Sequence, residues 1–556
     1  MPEEPTSEKT LRSRTRILAR WGAGVLFLAA LIFAPPLFNV SRLQRHIAAS
    51  ISASLGRPVH MDKVSLHLLP MPGFTLENLV VSEDPTFGSE PTIRAGKVEV
   101  TLRPSSLWRR QVELSSIKFE VDDGGSAPNL NLVRNAQGRW NIEGLLMHAA
   151  QVGIAPTAQR KPGPEPRFPY IEATGGRINV KLGEEKLPFA LTDADFALWL
   201  PEPQEWRVRL EARPLRTDIN VTETGVLRLE GSLGRAAATA DMPVDLHASW
   251  HNTPLGEVSK VITGTDAEWR GTLMAEASLL GRLGEAELKT SVTLNDLRRA
   301  DFVPEKTLEF HAECSGKIDV TTAIVLSTQC NIPVPSNSPP AQVSATADRL
   351  DLSALQNTRA QIGSPAVSED WLLDWARLFS ERLPACGPCG ASMAQGSLVY
   401  VGGAAADGGR WQGRVEGPLG FLANPAEPGA EANTGRPQFV IGGAGDVFVL
   451  EPVNLMPPGK TPPLNLSGTF DKNGYALSFD GTATEAQLRK LETAMPPLGE
   501  GLDKLLPDLF RDATKPTRID LLCTRKWGAD SAETCTTIPT ELPPAKLRRG
   551  EKSAKH

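Results

Sequence analysis

Cys386 and Cys389 enclose Gly387 and Pro388 in the order Cys-Gly-Pro-Cys, the tetrapeptide of dithiol oxidoreductases. Such a site takes a strand before the first thiol and a helix after it, because the helix N-terminus stabilises the thiolate. Here the order is reversed. Glu369–Leu383 reads as a helix in front, and "GASMAQGSLVYV" supplies a glycine-rich turn and a strand behind. The pair is therefore placed in a loop, as a disulfide or two thiols, and not in a redox centre.

The other chemical candidates fail on spacing too. "PGKTPP" (Pro458–Pro463) contains the Gly-Lys-Thr of a phosphate loop. The glycine required before Gly459 is Asn454, and the prolines forbid the helix that must follow. His247 and His251 stand at even spacing on one strand and read as solvated strand-face histidines. His311 beside Cys314 and Cys330 is one imidazole, short of a metal set. Asp122 and Asp123 before Gly124 and Gly125 are turn chemistry. With no convergent acid, base and nucleophile, the chain is read as not an enzyme, with no metal and no cofactor. A net charge of -6 without a clustered basic face gives no reason to expect nucleic acid.

The six cysteines suit an oxidising compartment. They fall into local pairs, Cys314 with Cys330, Cys386 with Cys389 and Cys523 with Cys535. Spacing does not fix connectivity, and local pairing is the simplest choice. The first pair would lie opposite each other in a hairpin turning near Thr322.

Trp21–Val40 carries no charge, and a helix of that length spans a bilayer's hydrocarbon core. Lys9, Arg12, Arg14, Arg16 and Arg20 precede it, which keeps the N-terminal arm cytoplasmic and exports everything from Ser41 onward. Pro35 and the lack of an A-x-A site argue against signal cleavage, so the span is expected to remain as an anchor.

Beyond it, apolar and polar residues alternate for most of the chain. Val98, Val100 and Leu102 oppose Glu99, Thr101 and Arg103, and the pattern recurs at Arg177–Leu182, Trp206–Ala212, Val244–Trp250, Leu308–Cys314, Phe439–Leu450 and Leu464–Gly481. Half-buried strands give this period. Val112–Val121 changes phase at Ser115–Ser116, as a bulge would. Glycine (48) and proline (46) punctuate the strands throughout. Helical spacing is confined to Pro254–Ile262, Leu352–Ile362, Glu369–Leu383 and Thr484–Ala494.

The expected fold is mainly β: an N-terminal transmembrane helix, then an elongated, curled, groove-like antiparallel sheet with short helical insertions. Its expected parts are a basic arm (1–20), the span (21–40), a first β region (41–150), a linker (151–167) that sets it apart, and a second β region (168–302). A further β-rich region follows (303–483, helical insert 352–383), then a helical C-terminal segment and tail (484–556). Few helices are available to cover such a sheet, so one face would remain apolar, and that costs free energy unless something apolar lies on it. The residues expected to line it are Val98, Val100, Leu102, Leu114, Ile178, Val180, Trp206, Val208 and Leu210.

Ser54–Pro85, Ala95–Glu120 and Pro128–Leu146 carry a Gly-Arg-Pro, a strand-turn-strand, a Leu-Trp before a strand and a Gly-x-Trp-Asn turn, in that order. This ordered set resembles the AsmA family of bacterial envelope proteins, as does Ser249–Phe302; from about Val303 the resemblance stops. It implies an inner-membrane, single-pass anchor and a periplasmic body related to chorein-type bridge-like lipid transfer proteins. The implied partner is membrane phospholipid, and the implied role is phospholipid transport and outer-membrane homeostasis. The alternative is an envelope assembly factor that contacts outer-membrane proteins or their assembly machinery without moving lipid.

Overall fold

Period-two alternation becomes strand almost wherever it occurs. The computed structural model describes residues 44–538, apart from 53–55, 68–70, 104–113, 145–168, 301–302, 305–306, 335–340, 353–357, 379–392, 403–408, 420–436, 456–462, 495–498, 528–530 and a few single positions. The expected span at residues 21–40 and the pair Cys386 and Cys389 lie outside the described residues. Among the described residues no helix is long and apolar enough to cross a membrane. They hold 25 strands in one hydrogen-bonded sheet, with few helices. By its internal contacts the chain forms two units, one of residues 1–267, 272–292 and 317–324, the other of 268–271, 293–316 and 325–556.

The first unit opens with β1 (Val59–His60), β2 (Lys63–His67), β3 (Gly73–Val81), β4 (Ile93–Leu102), β5 (Leu114–Glu120) and β6 (Asn129–Arg134). Next come β7 (Tyr170–Leu182), β8 (Glu185–Glu202), β9 (Glu205–Arg216), β10 (Val226–Gly234), β11 (Pro243–Pro254) and helix α1 (Leu255–Thr263). From β7 to β11 each strand pairs antiparallel with the next. β7 and β8 join through Gly183 at φ 60°, the left-handed backbone that a two-residue hairpin loop requires. α1 ends at Gly264, also left-handed, whose N–H donates to the Lys260 carbonyl at 2.9 Å. β12 (Trp269–Arg282) pairs with β11, and β13 (Glu285–Arg299) follows.

Two pairings break the expected antiparallel rule. β7 runs parallel to β5, with Ile117 opposite Ile171, and parallel to β6, with Leu130 opposite Ile178. Residues 41–150 are therefore not a sheet set apart by the 151–167 linker. A parallel partner needs a crossover of a dozen residues or more, and the chain between Arg134 and Tyr170 provides that length. The phase change in β5 is a bulge: Thr101 faces Ser116 while Leu102 faces Leu114, leaving Ser115 extra.

The second unit takes in β14 (Leu308–Asp319), β15 (Ile324–Val334), β16 (Ala341–Asp351), β17 (Arg359–Ser368), helix α2 (Glu369–Arg377), β18 (Met393–Val401) and β19 (Arg410–Pro418). β20 (Gln438–Ala444), β21 (Val447–Asn454), β22 (Leu464–Phe470), β23 (Gly474–Ala483), helices α3 (Glu485–Ala494) and α4 (Gly499–Leu509), β24 (Thr517–Lys526) and β25 (Thr534–Thr537) complete it. β16 to β25 form an antiparallel meander in chain order. The core sits where α3 and α4 cover β22–β24, with Leu464, Phe479, Leu488, Leu506 and Leu521 fully buried.

Two helical expectations are corrected here. Residues 359–362 of the Leu352–Ile362 stretch begin β17, where Ile362 pairs with Ala345 and Leu398. Strand neighbours on both sides override a helical spacing that was short and uncapped. The 484–556 segment is not helical throughout: after α4 it returns to the sheet as β24 and β25, and β24 pairs along its whole length with β23.

Candidate functional site

Residues directly opposite in paired strands share a face. Followed through the first unit, Leu66, Phe74, Val100, Ile117, Ile171, Leu198, Val208, Gly231, Leu246 and Leu279 form one row from β2 to β12. Val64, Leu76, Val98, Phe119, Ala173, Phe196, Leu210, Leu229, Ala248 and Ala277 form the row beside it. Both rows are apolar throughout. The row between them, on the opposite face, is polar almost throughout: Ser65, Thr75, Glu99, Lys118, Glu172, Ala197, Arg209, Glu230, His247 and Ser278. The face is uniform because every strand alternates in step.

Burial along the apolar rows is not uniform. Phe74, Leu76, Val98 and Val100 are at most 5 % exposed, packed with the helical Ile47, Ala48 and Ile51. Val98 and Val100 thus belong to a closed core and not to an open lining, because that helical stretch covers them. Trp206 and Val208 are buried as well, Trp206 against Met242, Leu198 and Leu233. Leu102, Leu114, Ile178, Val180 and Leu210 are half-buried, as are Ile171, Phe196, Leu229, Leu246 and Leu279. From β7 to β12 the apolar face is therefore much less covered.

Gly231 makes a notch in it. Its φ is 147°, and a Cβ there would stand 2.0 Å from the Asp245 carbonyl oxygen, so the strands approach only because the side chain is missing. α1 roofs the Pro214 end of the face through Val258 and Val261. Beneath it lies a cavity of about 380 Å³ lined by Leu187, Phe189, Pro214, Leu227, Trp250 and Val261, with Arg216 at its side. The Arg216 guanidinium is engaged by Asp218 and by the Val261 and Ile262 carbonyls, so it caps α1.

The sequence motifs Gly-Arg-Pro and Gly-x-Trp-Asn meet in a buried polar knot. Arg57 pairs with Glu83 and donates to Thr92 Oγ1 and to the Asn141 carbonyl, each at 2.6 Å. Asn141 Nδ2 donates to Glu83 Oε2 at 2.6 Å and to the Asn131 carbonyl at 2.8 Å. Asn179 of β7 donates to Asn129 and Asn131 of β6 at 2.7 and 3.1 Å. Arg57, Glu83, Thr92, Asn131, Asn141 and Asn179 are all buried. A carboxylate so placed is fully occupied as an acceptor, and it holds a fold together without offering a reactive group.

Cys314–Cys330 and Cys523–Cys535 are disulfides. The first joins β14 to β15 across a turn at 320–323, and the second joins residues directly opposite on β24 and β25. Cys523, Glu533 and Cys535 are close enough to suggest metal ligands, but both sulfurs are bonded to each other. His247 is exposed on the polar face, and His251 lies 3.6 Å from Glu276.

Residues 12–181 match the AsmA family. The match ends at the close of β7, the strand that seals the parallel junction. No curated protein and no solved structure matches the chain.

Proposed function

We propose, from the match of residues 12–181 to the AsmA family, that the chain is an inner-membrane-anchored protein of that type whose periplasmic body binds lipid acyl chains. One observation supports this reading above the rest. Two adjacent apolar rows continue through the first unit, backed by a polar row, and from β7 to β12 all their residues but Val208 are half-buried, between the α1 roof at one end and Trp206 with Met242 at the other, whereas β2–β4 are closed. Apolar surface left in water costs about 25 cal/mol per Å². An acyl chain laid on the face removes that cost without any directional contact, so no catalytic group and no cofactor is called for. In the cell this binding would serve phospholipid transport and outer-membrane homeostasis.

The test compares one charge at two kinds of site. Val100→Asp buries an unpaired carboxylate in a closed core and should unfold the unit. Leu210→Asp and Leu229→Asp place the carboxylate where water reaches it, so melting should be nearly unchanged while copurifying phospholipid falls. Thermal stability and lipid mass spectrometry are read on the same preparations. Collapse of all three variants, with no lipid in the parent, would instead support the envelope assembly factor.

A further inference from the structure

The cavity under α1 stands at one end of the apolar face of the first unit. Leu227, Leu229, Gly231 and Leu233 of β10 alternate onto that face, opposite Ala212, Leu210, Val208 and Trp206 of β9 and Trp250, Ala248, Leu246 and Val244 of β11. Leu227 and Trp250 also line the cavity, so the face runs into it without a break. Midway, Gly231 leaves the surface low because it has no side chain to raise it. At the far end Trp206, Met242 and Leu233 pack together. From Leu227 to Leu233 the strand covers about 20 Å.

The polar side chains at the cavity are already engaged elsewhere. Trp250 Nε1 donates to the Thr224 carbonyl at 2.7 Å. Arg216 donates to the Asp218 carboxylate from Nε at 2.7 Å and from Nη2 at 3.1 Å, and from Nη1 to the Val261 and Ile262 carbonyls at 3.3 Å. At the rim the Pro188 carbonyl accepts from the Thr217 N–H at 2.7 Å. A sugar, a nucleotide or a lipid head would lose its water here and gain no partner. Water itself needs two or more polar partners to stay in such a place. An apolar cavity of about 150 Å³ is enough to take up benzene, and this one, at about 380 Å³, has room for several carbons. Its roof is fixed in place. Val258 and Val261 of α1 are buried, and the Thr222 N–H donates to Glu257 Oε2 near the start of the helix at 3.1 Å.

We propose that this cavity receives the methyl end of one fatty acyl tail, that the tail lies along β10 toward Leu233, and that α1 stops it and so sets the preferred tail length. One tail fills half of a bilayer's hydrocarbon core, a depth of about 15 Å, and the face offers it a lane of about 20 Å. The head then lies outside the cavity, where water reaches it. The assignment rests on the acyl-chain reading above and adds the direction of the tail and the residues that measure it.

The full chain, in detergent, is loaded with phosphatidylcholine that carries a diazirine either at the end of one tail or close to its ester. Light should couple the terminal probe to the peptides bearing Phe189, Trp250 or Val261, and the ester-proximal probe to residues nearer Leu233. Length is read by competition between dilauroyl and dipalmitoyl phosphatidylcholine. Leu227→Phe and, at a second half-buried wall position, Leu187→Phe narrow the cavity. Each methylene they keep out should cut retention of the dipalmitoyl lipid roughly fourfold and leave the dilauroyl lipid bound, with melting unchanged. The crosslinks are read on the parent chain, so they decide the direction of the tail whatever a variant does to folding. Lipid bound with the terminal probe coupled outside the cavity, or both probes coupled to the same peptides, overturns the assignment and leaves the acyl-chain reading standing. Equal loss of the two lipids from a folded variant does the same. No lipid of either length on the parent overturns both.

Discussion

Arg57 and Glu83 show how much one buried pair can organise. Taking away one partner leaves a charge in a place that water does not reach, which costs about 3–5 kcal/mol. Glu83→Gln and Arg57→Met should each lower the urea midpoint accordingly. The double variant Arg57→Met with Glu83→Leu should lose less than either, because no charge is then stranded. Equal or greater loss in the double variant would mean that the hydrogen bonds to Thr92 and Asn141 dominate. None of this was legible locally. The partners of Arg57 lie 26, 35 and 84 residues away, and charge alone does not say which acid will be chosen. The apolar residues were the reverse case: Val98, Val100, Ile178 and Leu210 were legible from period two as one face. Whether that face was open at each was not, since the cover over Val100 comes from Ile47, Ala48 and Ile51.

Elements report the same division between local pattern and distant context. α3 is written in the sequence as a capping box: Thr484 N–H donates to Gln487 Oε1 at 2.8 Å, and Gln487 N–H donates to Thr484 Oγ1 at 3.3 Å. What α3 meets was not written there. Glu492 on α3 is partly withdrawn from water and hydrogen-bonds Asp503 on α4, and burial first, then that acid, raises its carboxyl above the ordinary range. A raised carboxylate pKa means that the folded form holds the proton more tightly than the unfolded chain. This contribution is present below the unfolded value and is lost as pH rises through the folded one. Above that folded value the contact is therefore a repulsion. Glu492→Gln should raise the thermal midpoint at pH 7 and flatten its change between pH 7 and 4, and an unchanged profile would remove Glu492 from the α3–α4 contact.

The disulfide beneath these helices has an equally local origin and a wider effect. Gly501 of α4 lies so close to it that a Cβ would stand 2.6 Å from Cys535 Sγ. Replacing Cys523 and Cys535 by serine should lower stability by about 2–4 kcal/mol, measured by urea denaturation. The loss should also loosen α4, seen as faster amide exchange at Leu502 and Leu506. Unchanged exchange there would show that the helix is held by its apolar contacts alone. Local pairing of these cysteines was legible from spacing, whereas β24, which carries Cys523, was hidden because its apolar run followed two helical segments.

At the scale of the whole molecule, the parallel junction has a consequence in time. Nearly every other strand finds its partner in the strand made just before or just after it. β5 and β6 instead wait for β7, and at roughly 5–20 residues per second the stretch from Arg134 to Tyr170 keeps their edges bare for seconds. Exposed strand edges are templates for mispairing. A nascent chain would pass this interval with its earliest sheet incomplete, so a holding chaperone would act on it most before Leu182 appears. Chains stopped at Gly144 should be digested quickly and aggregate, whereas chains stopped at Arg216, with β7 paired on both sides, should yield a protease-resistant fragment. Equal resistance in the two would mean that the first strands close without β7, and the vulnerable interval would vanish.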